Sequence, residues 1–508
     1  MKPDKVLVVD FGGQTTRLIA KTIRELNVYS DMVAYDHVPT PSADVKAIVF
    51  SGGPKSITAA DALAVDRAWF DLGVPILAIC YGMHATMQQF GGHVEKDLDG
   101  RQYGKTGMDI VKEDVLFDGL SDHETVWMSH TDSVVTLPPT FEVIARSDRV
   151  LAAVKHQTKP IYGVQFHPEV RHTTHGKQML SNFLFKVAKA IPSWKITNIV
   201  DGLIKDIRHT VNDKRVLLGL SGGVDSGVSA VLIDRAVGER LTCVFVDHGL
   251  LREGEADDVL TRYRSHYGLN VVFVDAKTRF LDALKGLEDP EAKRKAIGKT
   301  FIDVFEGVAA KQGPFDFLAQ GTLYTDVIES GAGVGATIKS HHNVGGLPEK
   351  LGFTLLEPLR SLFKDEVREL ARTLAMDAVD LQRQPFPGPG LAVRILGEVT
   401  EAKLTMARQS DAIVRQVFQE TGTEALVWQY FTVLTNAKTV GVMGDERTYG
   451  HVLAIRAVTS NDGMTADWAR IPHPVLERVA SLIVNRVDGV NRVVYDITSK
   501  PPGTIEWE

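Results

Sequence analysis

Short apolar runs bounded by turns recur through this chain and limit its fold more than any other feature. The first third contains Val6–Asp10, Ala47–Phe50, Pro75–Cys80 and Ile161–Phe166, with helix-length segments between the earlier runs. Runs of this length suit strands covered by helices on both faces of a sheet, because such strands have no polar side to show water. A second series begins after Ile191-Pro192-Ser193-Trp194, with Arg215–Leu220, Leu241–Asp247 and Val271–Asp275 as its strands. Two doubly wound, mostly parallel α/β domains in tandem are expected. Pro385-Phe386-Pro387-Gly388-Pro389-Gly390 cannot form a helix or an interior strand and marks a further boundary. Beyond it a small α+β domain is expected. Its strands lie near Arg394–Val399, Val427–Leu434, Val452–Val458 and Arg492–Ile497, and its helices near Ala402–Glu420 and over Pro474–Val487. The expected division is therefore 1–192, 193–383 and 384–508, since 508 residues exceed what one core organises.

The balance of 57 basic and 64 acidic residues gives a formal charge of −7, so no long-range field favours a polyanion such as duplex DNA. Only Cys80 and Cys243 are present, which argues against a disulfide framework and fits a reducing compartment. The N-terminus lacks the apolar core of a secretion signal, and no apolar run approaches the ~20 residues of a membrane helix. A cytoplasmic protein without membrane or nucleic-acid partners is expected.

Lys214–Leu220 reads as a strand, and Val228, Val231, Leu232 and Ala236 keep helical spacing until Gly238. Between them lies Ser221-Gly222-Gly223-Val224-Asp225-Ser226. Its glycines let successive N–H groups face one anion at a helix start, and its serines add hydroxyl donors. Asp225 beside phosphate either orients the loop or meets a magnesium ion that travels with a nucleotide, and the second reading is preferred. The loop lacks the lysine of the G-x-x-x-x-G-K-[ST] type.

Cys80 ends an apolar strand and precedes Tyr81-Gly82-Met83-His84, which places its sulfur on a sharp turn at a helix start. The helix dipole there favours thiolate, and the Tyr81 N–H is placed to stabilise an oxyanion. Gln165-Phe166-His167-Pro168-Glu169 supplies a base with a carboxylate two residues on, able to fix the imidazole tautomer. Ser51-Gly52-Gly53-Pro54 offers a second backbone donor at Gly53. Cys243, inside an all-apolar strand with no base near it in sequence, reads as core packing.

The string Ser221–Ser226 resembles the pyrophosphate-binding loop of the ATP pyrophosphatases, which transfer AMP onto a substrate oxygen. Asp10-Phe11-Gly12, Ser51-Gly52-Gly53-Pro54, Cys80-Tyr81-Gly82 and His167-Pro168-Glu169 resemble the class I glutamine amidotransferases. That family's pattern around the nucleophile is Gly-x-Cys-x-Gly-x-Gln, whereas this chain has Ala78 and His84 at the first Gly and the Gln. Glutamine hydrolysis is expected to survive with weaker glutamine binding.

Over nearly its whole length the chain resembles the GMP synthetase family. The resemblance is carried by Val246–Arg252, Gln320–Ser330, Ile338–Pro348, Pro385–Leu391 and Lys500–Glu508. It implies ATP-dependent adenylylation of the 2-oxygen of xanthosine 5′-monophosphate, displacement of AMP by ammonia from glutamine, Mg2+ with the ATP, no prosthetic group, and a homodimer formed through the C-terminal domain. By the same resemblance Val246 joins the ATP site, and Arg294, Gln429, Arg492, Lys500, Ile505 and Glu506 bind the xanthine nucleotide. Lys339 sits in a glycine-rich lid. From the residues alone Lys500–Glu508 would be read as a frayed tail, and His341-His342 lacks the companions of a zinc site. A transfer-RNA thiolase would carry extra catalytic cysteines and a basic face, and a decayed regulatory protein would not keep Cys80, His167, Glu169 and the loop intact.

Overall fold

A computed structural model describes residues 3–97, 100–329, 353–377, 384–443, 445–460 and 465–508. The chain divides into two compact units, Met1–Ile199 and Val200–Glu508.

The first unit is built on a nine-stranded sheet. Five strands run parallel in the order Tyr29–Ala34, Lys5–Asp10, Val45–Phe50, Ile76–Ile79 and Ile161–Val164. Val6–Val9 and Ile76–Ile79 are buried throughout, as their unbroken apolar character requires. The sheet then continues antiparallel through Val150–His156, Phe141–Ser147, Gln102–Ile110 and His123–His130. Val150–Val154 is an apolar run that the sequence reading passed over, while other parts of the extension alternate as strands covered on one face do. His123–His130 buries every second residue, and no apolar run marks it.

The second unit holds a five-stranded parallel sheet in the order Val271–Asp275, Leu241–Asp247, Val216–Gly219, Phe317–Ala319 and Thr354–Leu356. The helix Val224–Val237 follows the central strand and stops at Gly238, whose φ of 58° lies in the left-handed region. The C-terminal part is a long hairpin, Gln429–Met443 with Glu446–Thr459. Asp467–Trp468 and Val490–Tyr495 pair with the other edge of the second strand. Helices Glu401–Glu420 and His473–Arg486 cover this sheet, and one apolar core runs from Leu217 and Val244 of the parallel sheet to Val479 of the second helix and Val490 of the hairpin sheet.

One expected strand is absent. Gly390–Arg394 is a short 3-10 helix, and only Ile395 makes an isolated bridge, to Leu434. The cause is Lys293, fully buried, whose ammonium donates to the carbonyls of Ala392, Ile395 and Gly397 at 2.9–3.2 Å. A chain curled round one cation has no row of carbonyls left for a ladder. No helix among the described residues is long and apolar enough to cross a membrane.

Candidate active site

Cys80 stands between the Ile76–Ile79 strand and the Tyr81–Gln89 helix with φ 51° and ψ −107°, a backbone geometry that non-glycine residues rarely hold. The turn is possible because Gly82 follows. A β-carbon there would lie 2.7 Å from Phe50 Cβ. His167 Nδ1 is 2.7 Å from Glu169 Oε1, and Glu169 is buried. Gly52 fits between Cys80 and His167: a β-carbon on it would lie 3.0 Å from His167 Cε1 and 3.8 Å from Cys80 Cβ. Gly53 presses on the Tyr81 ring, so the two expected oxyanion donors are neighbours. The Tyr81 N–H is among the first of its helix, which no carbonyl within the helix accepts.

Burial pulls the His167 pKa down, but hydrogen bonds to Cys80 and Glu169 and their charges outweigh it and carry the value to about 10. An imidazolium beside the sulfur is thus the stable form, ready to give a proton to a leaving amine. Cys80 Sγ lies 3.7 Å from the Ser129 carbonyl oxygen, and the Gln165 amide donates to it at 3.8 Å. His84 is buried, with Nε2 2.6 Å from Gln165 Oε1. Burial lowers its pKa to about 4. Cys243 is also buried, and burial pushes its thiol up to about 12, as suits a packing residue.

In the second unit the loop after Val216–Gly219 is held open by its own hydroxyls. Ser221 Oγ and Ser226 Oγ are 2.8 Å apart, the Gly223 N–H donates to Ser221 Oγ at 3.3 Å, and Gly222 has φ 75°. Val246 lies at the carboxyl end of the adjoining parallel strand, where open α/β sheets bind ligands. Asp225 Oδ2 is 3.7 Å from Lys364 Nζ, while its Oδ1 is buried without a hydrogen-bond partner. Burial raises this carboxyl above the usual range, Lys364 pulls it back, and Asp326 raises it further. Gly321 touches the loop, since a β-carbon there would lie 3.0 Å from the Asp225 carbonyl carbon.

The C-terminal tail is gripped by three fully buried cations. Lys293 pairs with Glu508, and Arg394 makes a two-pronged bond to Glu506 at 2.9 and 3.1 Å. Arg456 donates to the Thr504 carbonyl at 3.1 Å and to the carbonyls of Thr498 and Ile505. Gln429 donates to Glu506 at 3.0 Å, and Arg294 to a Glu508 oxygen at 2.6 Å. Gln429, Ile505 and Glu506 therefore come together, with Arg294 at the far end of the same tail. Lys500 pairs through its backbone with Ala466. Arg492 does not join them. It aligns with Val452, whereas Gln429 aligns with Val458 of the same strand, so six residues of strand, roughly 20 Å, separate the two. Lys339 and His341-His342 lie outside the described residues.

Residues 7–187 match the class-I glutamine amidotransferase family, 195–275 the NAD synthase family and 416–507 the GMP synthase C-terminal domain. The glutamine-hydrolysing GMP synthase of Clostridium novyi is 54% identical over 509 residues, covering 99% of this chain and 99% of the relative. That of Bacillus thuringiensis is 53% identical over 510 residues, covering 99% and 98%. The chain belongs to the glutamine-hydrolysing GMP synthase family. A solved structure of one subunit of a GMP synthase from Thermoplasma acidophilum is 31% identical, covering 37% of this chain and 96% of its own, with a TM-score of 0.33.

Within this GMP synthase fold, sequence reasoning missed the three tail cations and the contact between His84 and Gln165. Arg394 and Arg456 each interrupt an apolar run, Leu391–Leu396 and Leu453–Val458, and a lone charge in such a run is a readable sign of a buried pair. Lys293, in a charged helix segment, gave no such sign.

Proposed function

We propose that the chain makes GMP from xanthosine 5′-monophosphate, ATP and glutamine. The observation that carries this reading is the strained Cys80 turn set against His167 and Glu169, in a chain whose full-length relatives are named for that reaction. Cys80 sulfur attacks the glutamine carboxamide carbon, and the N–H groups of Gly53 and Tyr81 take the oxyanion. His167 protonates the departing nitrogen, ammonia leaves, and water then cleaves the thioester with His167 as base and Glu169 holding its tautomer.

In the second unit Ser221, Gly222, Gly223, Val224, Asp225, Ser226 and Val246 hold ATP. The purine 2-oxygen of the acceptor takes AMP from it, pyrophosphate leaves, and ammonia displaces AMP. The orphaned Oδ1 of Asp225, with Asp326 near, fits a hard divalent cation shared with phosphate oxygens. Asp225 would hold Mg2+, and the charge it would supply there is the kind that stabilises a leaving pyrophosphate. Gln429, Ile505 and Glu506 contact the acceptor base or ribose, and Arg294 and Lys500 its phosphate; Arg492 stands too far along the sheet to share that ligand, and Lys339 lies outside the described residues. Residues 1–192, 193–383 and 384–508 act as glutaminase, adenylyl-transfer and acceptor modules in a cytoplasmic protein. Val440, Val442 and Tyr449 are exposed on one face of the hairpin end, which favours pairing of two copies through the C-terminal part.

The test is purified protein with Mg-ATP, the xanthine nucleotide and either glutamine or ammonium, following absorbance and AMP release. GMP is expected from both nitrogen sources. GMP from neither refutes the reading, and GMP from ammonium alone assigns a disabled glutaminase, the outcome that the departure at His84 would favour.

A further inference from the structure

We infer that His84 is a positioning residue for the glutaminase nucleophile, fixing the Gln165 carboxamide so that its NH2 edge faces the Cys80 sulfur. The inference rests on Cys80 being the nucleophile, as proposed above. His84 occupies a position where the amidotransferase pattern has glutamine, and here its ring does not face open solvent. It is 2% exposed, and its Nε2 lies 2.6 Å from Gln165 Oε1. Gln165, itself 1% exposed, directs Nε2 at Cys80 Sγ from 3.8 Å.

A carboxamide has two ends of nearly equal shape and opposite polarity, and its partners decide which end faces the sulfur. The buried His84 ring is neutral at working pH, so it carries a single proton. With that proton on Nε2 it donates to Oε1, and the NH2 group is left to donate to the sulfur. With the amide reversed, a carbonyl oxygen would face the negative charge that forms there. The first arrangement stabilises thiolate and the second opposes it. The titratable groups facing this relay are His130 and Asp132, which act on His84, and His167 and Glu169 on the side of the sulfur. None of them bonds the Gln165 amide, so its orientation falls to His84 among the described residues.

The test uses the full-length protein and iodoacetamide as the probe, with the labelled cysteine identified by mass spectrometry and the rate followed from pH 5 to 9. Cys80 is 6% exposed and Cys243, the other cysteine, 0%, and the mass spectrum separates the two, so the labelling rate at Cys80 is read directly. His84→Leu and Gln165→Leu are each expected to move the labelling profile to higher pH, slowing labelling roughly tenfold on its acid limb. The double variant should be no slower than either single one, because both break the same relay. His84→Gln, which can still donate to Oε1, should restore most of the rate. Glutaminase kcat should follow the labelling rate, with the glutamine KM moving less. An unchanged labelling profile in His84→Leu, multiplied effects in the double variant, no rescue by His84→Gln, or a change in KM alone would overturn the relay. Retention of glutaminase in Cys80→Ala would instead overturn the nucleophile on which it rests.

Discussion

His84 and His167 lie in one buried site, and their surroundings push them in opposite directions. His84 titrates near 4 when folded and near 6.5 when unfolded, so between those values the unfolded chain binds the extra proton. Stability of the first unit should therefore fall as pH drops from 6.5 toward 4, by up to about 1.4 kcal/mol per pH unit from this ring. His84→Gln should flatten that limb in urea titrations at pH 7 and pH 5, and an equally steep limb in the variant would contradict the assignment. For His167 the sign reverses. Its folded pKa is raised to about 10, so its contribution is complete below 6.5 and disappears as pH rises toward 10. His167→Ala should lose the alkaline limb.

At the scale of elements, the catalytic turn and the C-terminal tail depend on close packing of opposite kinds. The turn at Cys80 needs an absent side chain: Gly82→Ala would drive a methyl group into Phe50 Cβ at 2.7 Å and shift the sulfur. Glutaminase activity is expected to drop by about 100-fold, the cost of a misplaced nucleophile, while ammonium-dependent synthesis continues. A Gly82→Ala enzyme with normal glutaminase would show that the contact relaxes freely. The tail needs its charges. Removing the last three residues takes Glu506 and Glu508 from Arg394 and Lys293, which are fully buried. Lys293 would be left with carbonyl partners and Arg394 with Asp411 at 4.0 Å, and this loss of close carboxylates should cost about 3–5 kcal/mol in chemical denaturation. Lys293→Met in the truncated protein should recover part of it, and no recovery would mean that lost packing dominates. The tail reads as frayed in sequence because its partners lie far away, Lys293 being 215 residues from Glu508.

For the molecule as a whole, the two chemistries occupy separate compact units. Cys80→Ala should abolish GMP formation from glutamine and leave formation from ammonium within about twofold of the parent, since the residues proposed to hold ATP and acceptor all lie beyond residue 199. Loss of both activities would show that the sites are not separable. Assembly is tested on the exposed hairpin face. Val442→Asp should shift the particle mass in light scattering from two copies to one, and an unchanged dimer would move the interface elsewhere.

What the sequence determined by itself was local. A strand, a glycine-containing turn and a helix in direct succession place Cys80 at one such junction and Ser221–Ser226 at another, because the backbone between neighbouring elements has few ways to turn. The two parallel series were legible for the same reason, as buried strands must be apolar throughout. Tertiary structure decided what lies far apart in the chain. It brought His84 within reach of Gln165 across 81 residues, and Gln165 to Cys80 across 85. It curled Ala392–Gly397 round Lys293 instead of into a strand, and it set Arg492 apart from Gln429. No periodicity records such pairings, because a single hydrogen bond between distant side chains leaves no pattern in either segment.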